Sequence, residues 1–447
     1  MTTTLMPGAA TAGVDEDTLK AFVASELGRV RHRSFGLTTD VLDEAELLAQ
    51  HSRLMSPLVW DLAHVGNYEE QWLVRAASGL DALRPDLDPI YDAFEHPRAE
   101  RPTLPLLRAN EAGSYIGQVR LRVLDSLDRL RLDARRPLLD GGLVFGMVVQ
   151  HEHQHDETML ATHQLRHGSP ALPAGDDRPA PQALVTEPEV MVPAGPFVMG
   201  CSDDPWAYDN ERPAHEVTLP AYFIDTVPVS NADYLRFVED GGYQQPRWWS
   251  GAGWVWRTRS GKRTPAFWVH EGGSWLRRRF GRVEPLPADE PVQHVCWHEA
   301  SAYATWAGRR LPTEAEWEKA ASWVPATATK RRFPWGEAPP GPEHANLGQA
   351  RFRPTPRGSF PAGASAYGAL QMLGDVWEWA SSEFTGYPGF RSFPYRDYSQ
   401  VFFDDGYRVL RGGSWATDPA TCRATFRNWD LPIRRQIFAG FRTARDA

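Results

Sequence analysis

Two histidines four residues apart, His151 and His155, stand in the segment LVFGMVVQHEHQHDETMLATHQL that starts at Leu143. At about 100° per residue they continue the stripe formed by Val144, Val148 and Met159, so both face the apolar side of a helix. Imidazoles at i and i+4 lie on one face about 6 Å apart and can converge on one metal ion. Either alone reads as a satisfied core histidine; as a pair on an inward stripe, ligation and packing are equally good readings. His64, in SPLVWDLAHVGNYEEQW, adds a third imidazole from a second helix. Three neutral nitrogen donors leave coordination positions open, which is the pattern of a catalytic site rather than a structural one. Imidazole suits zinc, iron, copper and nickel alike, so the donors do not name the metal. His153 falls on the opposite side of the helix and is expected at the surface. Gln154, about 60° from the stripe, borders the same cavity as the two ligands.

HEHQH also fits the H-E-x-x-H pattern of zinc hydrolases, whose glutamate is the general base. Here Ala161 stands where the extended motif would place a further histidine, and a proline-rich stretch follows the helix. Glu152 is turned about 100° from His151. A zinc hydrolase is the rival reading of this segment.

The elements that must position these residues are helical. Segments near 15–33, 40–54, 56–77, 107–132 and 140–166 carry apolar residues at three- and four-residue spacing, and Ser56 before Pro57 is a natural helix start. The expectation is an antiparallel helical bundle over residues 15–167, preceded by a disordered tail at 1–14. GSPALPAGDDRPAPQALVTEPE, from Gly168, reads as an extended linker over 168–186. From 187 to 447 the texture changes to short β-prone runs separated by Gly, Pro and Trp, with helices at SNADYLRFVED and WHEASAYATWAG. That half is an α+β domain of short strands and long loops, and the whole chain is an α+β multidomain protein.

The 447 residues suffice for two cores, and a formal charge of -9 speaks against nucleic acid as a partner. Cys201, Cys296 and Cys422 are far apart and odd in number, which excludes a disulfide scaffold and a cysteine metal site. Neither a signal peptide nor a membrane span is read, so a cytoplasmic protein without a membrane partner is expected, with a monomer as the working state.

The second half carries PVQHVCWHEASAYATWAGRRLPTEAEWEKAA, FPWG, GDVWEW, RVLRGGSW, FRNWD and AGFRTA in that order. This series resembles the formylglycine-generating-enzyme (sulfatase-modifying-factor) domain, which implies a C-type-lectin-like α+β fold. Those enzymes use two nearby cysteines in the C-terminal region, where this chain has Cys422 alone, so copper–thiolate chemistry is not expected. Most of the tryptophans, among them Trp297, Trp335 and Trp415, read as core packing. Joined to a helical domain that resembles DinB, which implies a four-helix bundle, with WDLAHVGNYEE and QHEHQHDETML, the chain resembles the ergothioneine-biosynthesis sulfoxide synthases over nearly its whole length.

The resemblance implies a non-haem Fe(II) oxygenase that uses O2 to join γ-glutamylcysteine to C2 of the imidazole of hercynine (Nα-trimethylhistidine), giving a sulfoxide. It implies His64, His151 and His155 as the iron ligands and Gln154 beside the hercynine ring. A loop tyrosine is the implied proton donor; FPYRDYSQVFF points to Tyr395, with Tyr398 in reserve, among Tyr387, Tyr395, Tyr398 and Tyr407. γ-Glutamylcysteine carries two carboxylates and an ammonium, so its pocket needs guanidinium forks and an acid. Arg98 and Arg101 in FEHPRAERP, and Asp430 and Arg434 in FRNWDLPIRR, match the family segments that bind this dipeptide. Asn428 and the adjoining Trp429 match the hercynine side of the pocket. Related enzymes using free cysteine as the thiol, or coupling histidine as in ovothiol synthesis, are alternatives within the same chemistry.

Overall fold

The computed structural model describes residues 15–173 and 175–447; the stretch 1–14, read above as a tail, lies outside them. The chain divides into two compact units. The first holds the chain to Pro173 and two short excursions, Asp204–Trp206 and Phe280–Arg282; the second holds the remainder. Among the described residues no helix is long and apolar enough to cross a membrane.

Four long helices frame the first unit: α1 (Glu16–Gly36), α2 (Leu58–Glu69), α3 (Ala109–Arg129) and α4 (Leu143–Leu165). α2 packs on both α3 and α4, and α1 packs on α4. Asp15 caps α1 by accepting the Thr18 N–H, and Glu16 and Asp17 favour the positive end of its dipole. Every residue of α2 is buried, so it is the central element of the bundle. It runs on into a π-helical stretch, Glu70–Ala77.

Two local expectations shift. Ser56 does not cap α2; Pro57 takes that place, and the Ser56 hydroxyl accepts a hydrogen bond from Arg101 at 2.7 Å. The helix expected over 40–54 shrinks to Glu44–Leu48, because Gln50 beyond it turns its amide onto the Met55 and Arg98 carbonyls instead of sustaining a helix.

Polar groups as well as apolar ones bind the bundle together. Arg31 on α1 reaches Glu152 on α4 at 2.6 Å and Glu69 on α2 at 2.7 Å, while Arg120 on α3 reaches Glu69 at 2.6 Å. Ser34 donates to both Glu152 and Asp156. His153 sits in this region and is 2% exposed, 3.4 Å from Asp156, not at the surface as expected. Helical periodicity finds the apolar face of α4, but the opposite face is covered by α1 through a charged network that such a pattern cannot register. Gly146 on α4 allows the Trp206 excursion to approach: a Cβ there would come within 2.2 Å of the indole ring. The Trp206 carbonyl accepts from Gln150 at 3.0 Å and its Nε1 donates to the Gly141 carbonyl at 3.2 Å.

In the second unit, residues 175–186 are hydrogen-bonded along the domain surface, with Ala183 N–H donating to Gly358 and Phe360 N–H to Pro181. Strands β1 (Glu189–Val192), β2 (Gly195–Met199), β3 (His215–Leu219) and β4 (Tyr222–Asp225) are followed by α5 (Asn231–Glu239), α6 (Gly251–Ser260), α7 (Trp297–Trp306) and α8 (Glu314–Ser322). The two helices read from sequence are α5 and α7. α8 opens with a capping box between Thr313 and Glu316, a legible signal. α6 hides behind two glycines and two β-branched residues, Val255 and Thr258, that lower helix propensity. The later strands are β5 (Trp377–Glu383), β6 (Arg408–Arg411), β7 (Asn428–Asp430), β8 (Ala439–Gly440) and β9 (Ala444–Asp446). One sheet runs β1-β4-β9, all antiparallel; another runs β7-β6-β5-β8, with the last pair parallel.

The motifs of this half are mostly internal wiring. Arg411 of RVLRGGSW bonds Glu314 and Glu318 of LPTEAEWE, and Arg442 of AGFRTA bonds Glu378 of GDVWEW at 2.6 Å. Trp297 and Trp415 donate their indole N–H groups to the Ala380 carbonyl and to Gln293, and Trp335 lies stacked between Phe333 and His344. Among the described residues no two cysteines are joined by a disulfide.

Candidate metal centre

His64 comes from the second turn of α2, and His151 and His155 come from consecutive turns of α4, where the two helices pack together. The ring centroids of His64 lie 5.2 Å from His151 and 4.6 Å from His155, and those of His151 and His155 are 4.6 Å apart. One ligand nitrogen from each lies within 4.8 Å of the other two. The expected trio thus converges on one point.

Each ring is held differently. His64 donates its Nδ1–H to the Tyr91 carbonyl at 2.7 Å and is stacked on Trp60 at 4.6 Å. His155 donates its Nδ1–H to Asp61 Oδ1 at 3.1 Å. His151 is stacked on Tyr68 at 3.8 Å, and its buried Nδ1 has no hydrogen-bond partner among the described residues. The first two contacts fix the tautomer and leave Nε2 of both rings with a free lone pair. Burial, followed by the charge of neighbouring His155, holds both His64 and His151 well below the usual histidine range. Both are therefore neutral near pH 7, which is the state that ligates. Neutral nitrogen donors, an orphaned buried ring nitrogen and oriented Nε2 atoms together fit a divalent metal with open positions.

Glu152, the base in a zinc-hydrolase reading, is committed to Arg31 and Ser34 on the far face of α4. Gln154, by contrast, is half-buried on α4 between the two ligand positions. Arg98 is partly exposed and donates to the Leu54 carbonyl at 3.0 Å. Arg101 is 4% exposed, lies 3.6 Å over the Trp60 ring, and donates to Ser56 and to the carbonyls of His96 and Ala93. Desolvation pulls it down to about 10. It buttresses the Trp60–His64 stack, a duty the sequence reading did not foresee.

The second unit gathers the remaining expected residues. β7 is an edge strand carrying Asn428, Trp429 and Asp430, with Trp429 paired opposite Val409. Trp429 stacks on Phe384 at 4.1 Å and meets Tyr398 edge-on at 5.9 Å. Tyr395 is 6.3 Å from Tyr398, and both are half-buried. Arg434 lies 3.4 Å from Asp430, and its Nη1 is buried without a hydrogen-bond partner among the described residues. Tyr387 is instead a core residue packed with Phe197 and Met199, and Tyr407 packs against Phe402. The tyrosine segment is pinned by two residues that the sequence did not single out. Asp209 accepts from Ser399 at 2.7 Å and from the Phe393 N–H at 3.2 Å, and Tyr208 stacks on Tyr398 at 4.2 Å. No motif announces that pair. Asp61 could have been found, because it precedes His64 by three residues on one helix face.

Comparison with known proteins agrees with both halves. Residues 175–447 match the sulfatase-modifying factor enzyme 1-like domain, and residues 26–159 match the DinB superfamily. A hercynine oxygenase of Mycolicibacterium smegmatis is 52% identical over 434 residues, covering 95% of this chain and 98% of its own length. The hercynine oxygenase of Mycobacterium tuberculosis is 53% identical over 430 residues, covering 95% of this chain and 98% of its own. The formylglycine-generating enzyme of Mus musculus is 31% identical over 309 residues, covering 62% of this chain and 79% of its own.

Proposed function

We propose, from the premise that the chain belongs to the hercynine oxygenase family, that it joins γ-glutamylcysteine to C2 of the hercynine imidazole with Fe(II) and O2. The product is γ-glutamyl-hercynylcysteine sulfoxide. One C–H and one S–H bond break, a C–S and an S–O bond form, and the second oxygen atom of O2 leaves as water. The observation that carries the reading is the convergence of three imidazoles from α2 and α4 on one point.

His64, His151 and His155 would hold the iron. Bound there, Fe(II) supplies the electrons that activate O2 and a positive charge that favours the thiolate form of the second substrate. Gln154 is read as holding the hercynine ring, with Asn428 and Trp429 on the carboxylate side. Arg98, Arg101, Asp430 and Arg434 are read as the groups that hold the dipeptide; the unsatisfied Nη1 of Arg434 supports a carboxylate contact. Tyr395 is the proton donor of this reading, with Tyr398 as the reserve.

Anaerobic reconstitution of the full chain with Fe(II), followed by O2 uptake with hercynine and γ-glutamylcysteine, tests the whole. Stoichiometric O2 consumption and the sulfoxide are expected. Coupling with free cysteine at equal kcat/KM would reassign the thiol. Metal binding without any coupled product would refute the function.

A further inference from the structure

The three imidazoles are alike in kind but not in setting. His64 gives its Nδ1–H to a neutral carbonyl, while His155 gives its own to the Asp61 carboxylate. Asp61 is 1% exposed, and its Oδ2 has no hydrogen-bond partner among the described residues. The guanidinium of Arg101 is close enough to act on Asp61 through its charge, yet it donates its hydrogen bonds to Ser56 and to the His96 and Ala93 carbonyls. A buried carboxylate with one oxygen unsatisfied is costly to keep ionised, because neither water nor a full set of donors replaces its hydration. Such a group is retained where a positive charge arrives to complete it. Three imidazoles carrying a dication bring that charge to the other side of the His155 ring.

We propose that Asp61 is the positioning residue of the metal centre, orienting His155 and making it the strongest donor of the three. This rests on the reading of His64, His151 and His155 as ligands. The carboxylate holds the proton on Nδ1 of His155, aims Nε2 at the metal, and raises the electron density of that ring. His64, bonded to a carbonyl, is a weaker donor, and His151 is oriented by the face of Tyr68. Asp61 also offsets part of the metal's charge without occupying a coordination position.

The test uses the full chain, stripped of metal, as wild type, Asp61→Asn, Asp61→Ala and His155→Ala. Dissociation constants for Fe(II) and Co(II) are measured anaerobically by chelator competition, with the visible spectrum of the Co(II) form and the thermal unfolding of the metal-free form recorded alongside. Asp61→Ala should weaken metal binding by about 10- to 100-fold and shift the Co(II) bands. Asp61→Asn, which keeps an accepting oxygen but no charge, should weaken it less. Metal-free Tm should be unchanged or raised in both, since a half-satisfied buried charge is lost. Tight wild-type binding with unchanged affinity in both variants overturns the inference alone, as does a metal-free Tm that falls in step with affinity. Wild-type binding no tighter than that of His155→Ala overturns the ligand reading and this inference with it.

Discussion

Neutralising Glu152 by Glu152→Gln tests whether the charged network on α4 is structure or chemistry. Arg31 and Arg120 face Glu69 and Glu152, two positive groups against two negative, none more than 11% exposed. The substitution leaves two guanidinium groups with one carboxylate. Breaking a buried pair by removing one partner costs about 3–5 kcal/mol. Glutamine keeps the shape and one acceptor, so a loss of about 3 kcal/mol is expected. At ~2–4 °C per kcal/mol for a unit of this size, Tm should fall by about 6–12 °C. Differential scanning calorimetry with and without metal reads the shift. Metal affinity and kcat, measured well below the new Tm, should stay within about twofold. Loss of kcat with Tm preserved would refute the placement of Glu152 and revive a hydrolase-type base. The pH dependence gives a second check. Burial alone would raise the Glu152 carboxyl, but Arg31 and Arg120 outweigh it and hold the group below its usual value. Its contribution is therefore complete above the unfolded value of about 4.3 and is lost as pH falls through the lower folded value. The Tm gap between wild type and variant should narrow on acidification below about pH 4.

Tyr395→Phe should divert the reaction from sulfoxide toward the thiol's sulfinic acid at little cost in substrate KM; an unchanged product ratio moves the role to Tyr398. Arg98→Ala should raise KM for γ-glutamylcysteine by about tenfold, the loss of one charge-assisted hydrogen bond, without lowering Tm. Arg101→Ala should do both, since it also removes the support under Trp60; equal Tm in the two variants would contradict that difference. Burial raises the Asp209 carboxyl to about 6, against bonds from Ser399 and Phe393. Its contribution to stability is thus full below about pH 3.9 and is lost as pH rises through about 6. Asp209→Asn should flatten the fall in Tm between about pH 4 and 6, and an unaltered profile would refute the assignment.

How much of this was legible in sequence depends on what kind of pattern each feature leaves. The stripe of Val144, Val148, His151, His155 and Met159 survives in the fold because a helix packed on one side repeats its inward residues at a fixed angle. His64 was legible for a different reason, its place in WDLAHVGNYEE, a segment that resembles DinB. His153 was misplaced because burial by α1 is paid for with ion pairs, and charged residues read as surface. Tyr208 and Asp209 hold the tyrosine segment from almost two hundred residues away, a relation that no local spacing encodes. The short strands of the second unit were expected only as texture, since their order in the β7-β6-β5-β8 sheet follows from long-range pairing.

α4 presents two kinds of buried carboxylate environment on opposite faces, and the difference between them carries functional meaning. Glu152 faces α1 and has two arginines as partners, so its charge is compensated whether or not metal is bound. Asp61 reaches α4 from α2 and accepts the Nδ1–H of His155, while its Oδ2 has no hydrogen-bond partner among the described residues. A carboxylate that the protein itself completes belongs to the scaffold, and its loss must lower the stability of the metal-free chain. A carboxylate left incomplete by the protein belongs to whatever completes it. Glu152→Gln and Asp61→Asn each remove one buried negative charge and should act in opposite directions: the first on metal-free stability with affinity spared, the second on affinity with metal-free stability spared.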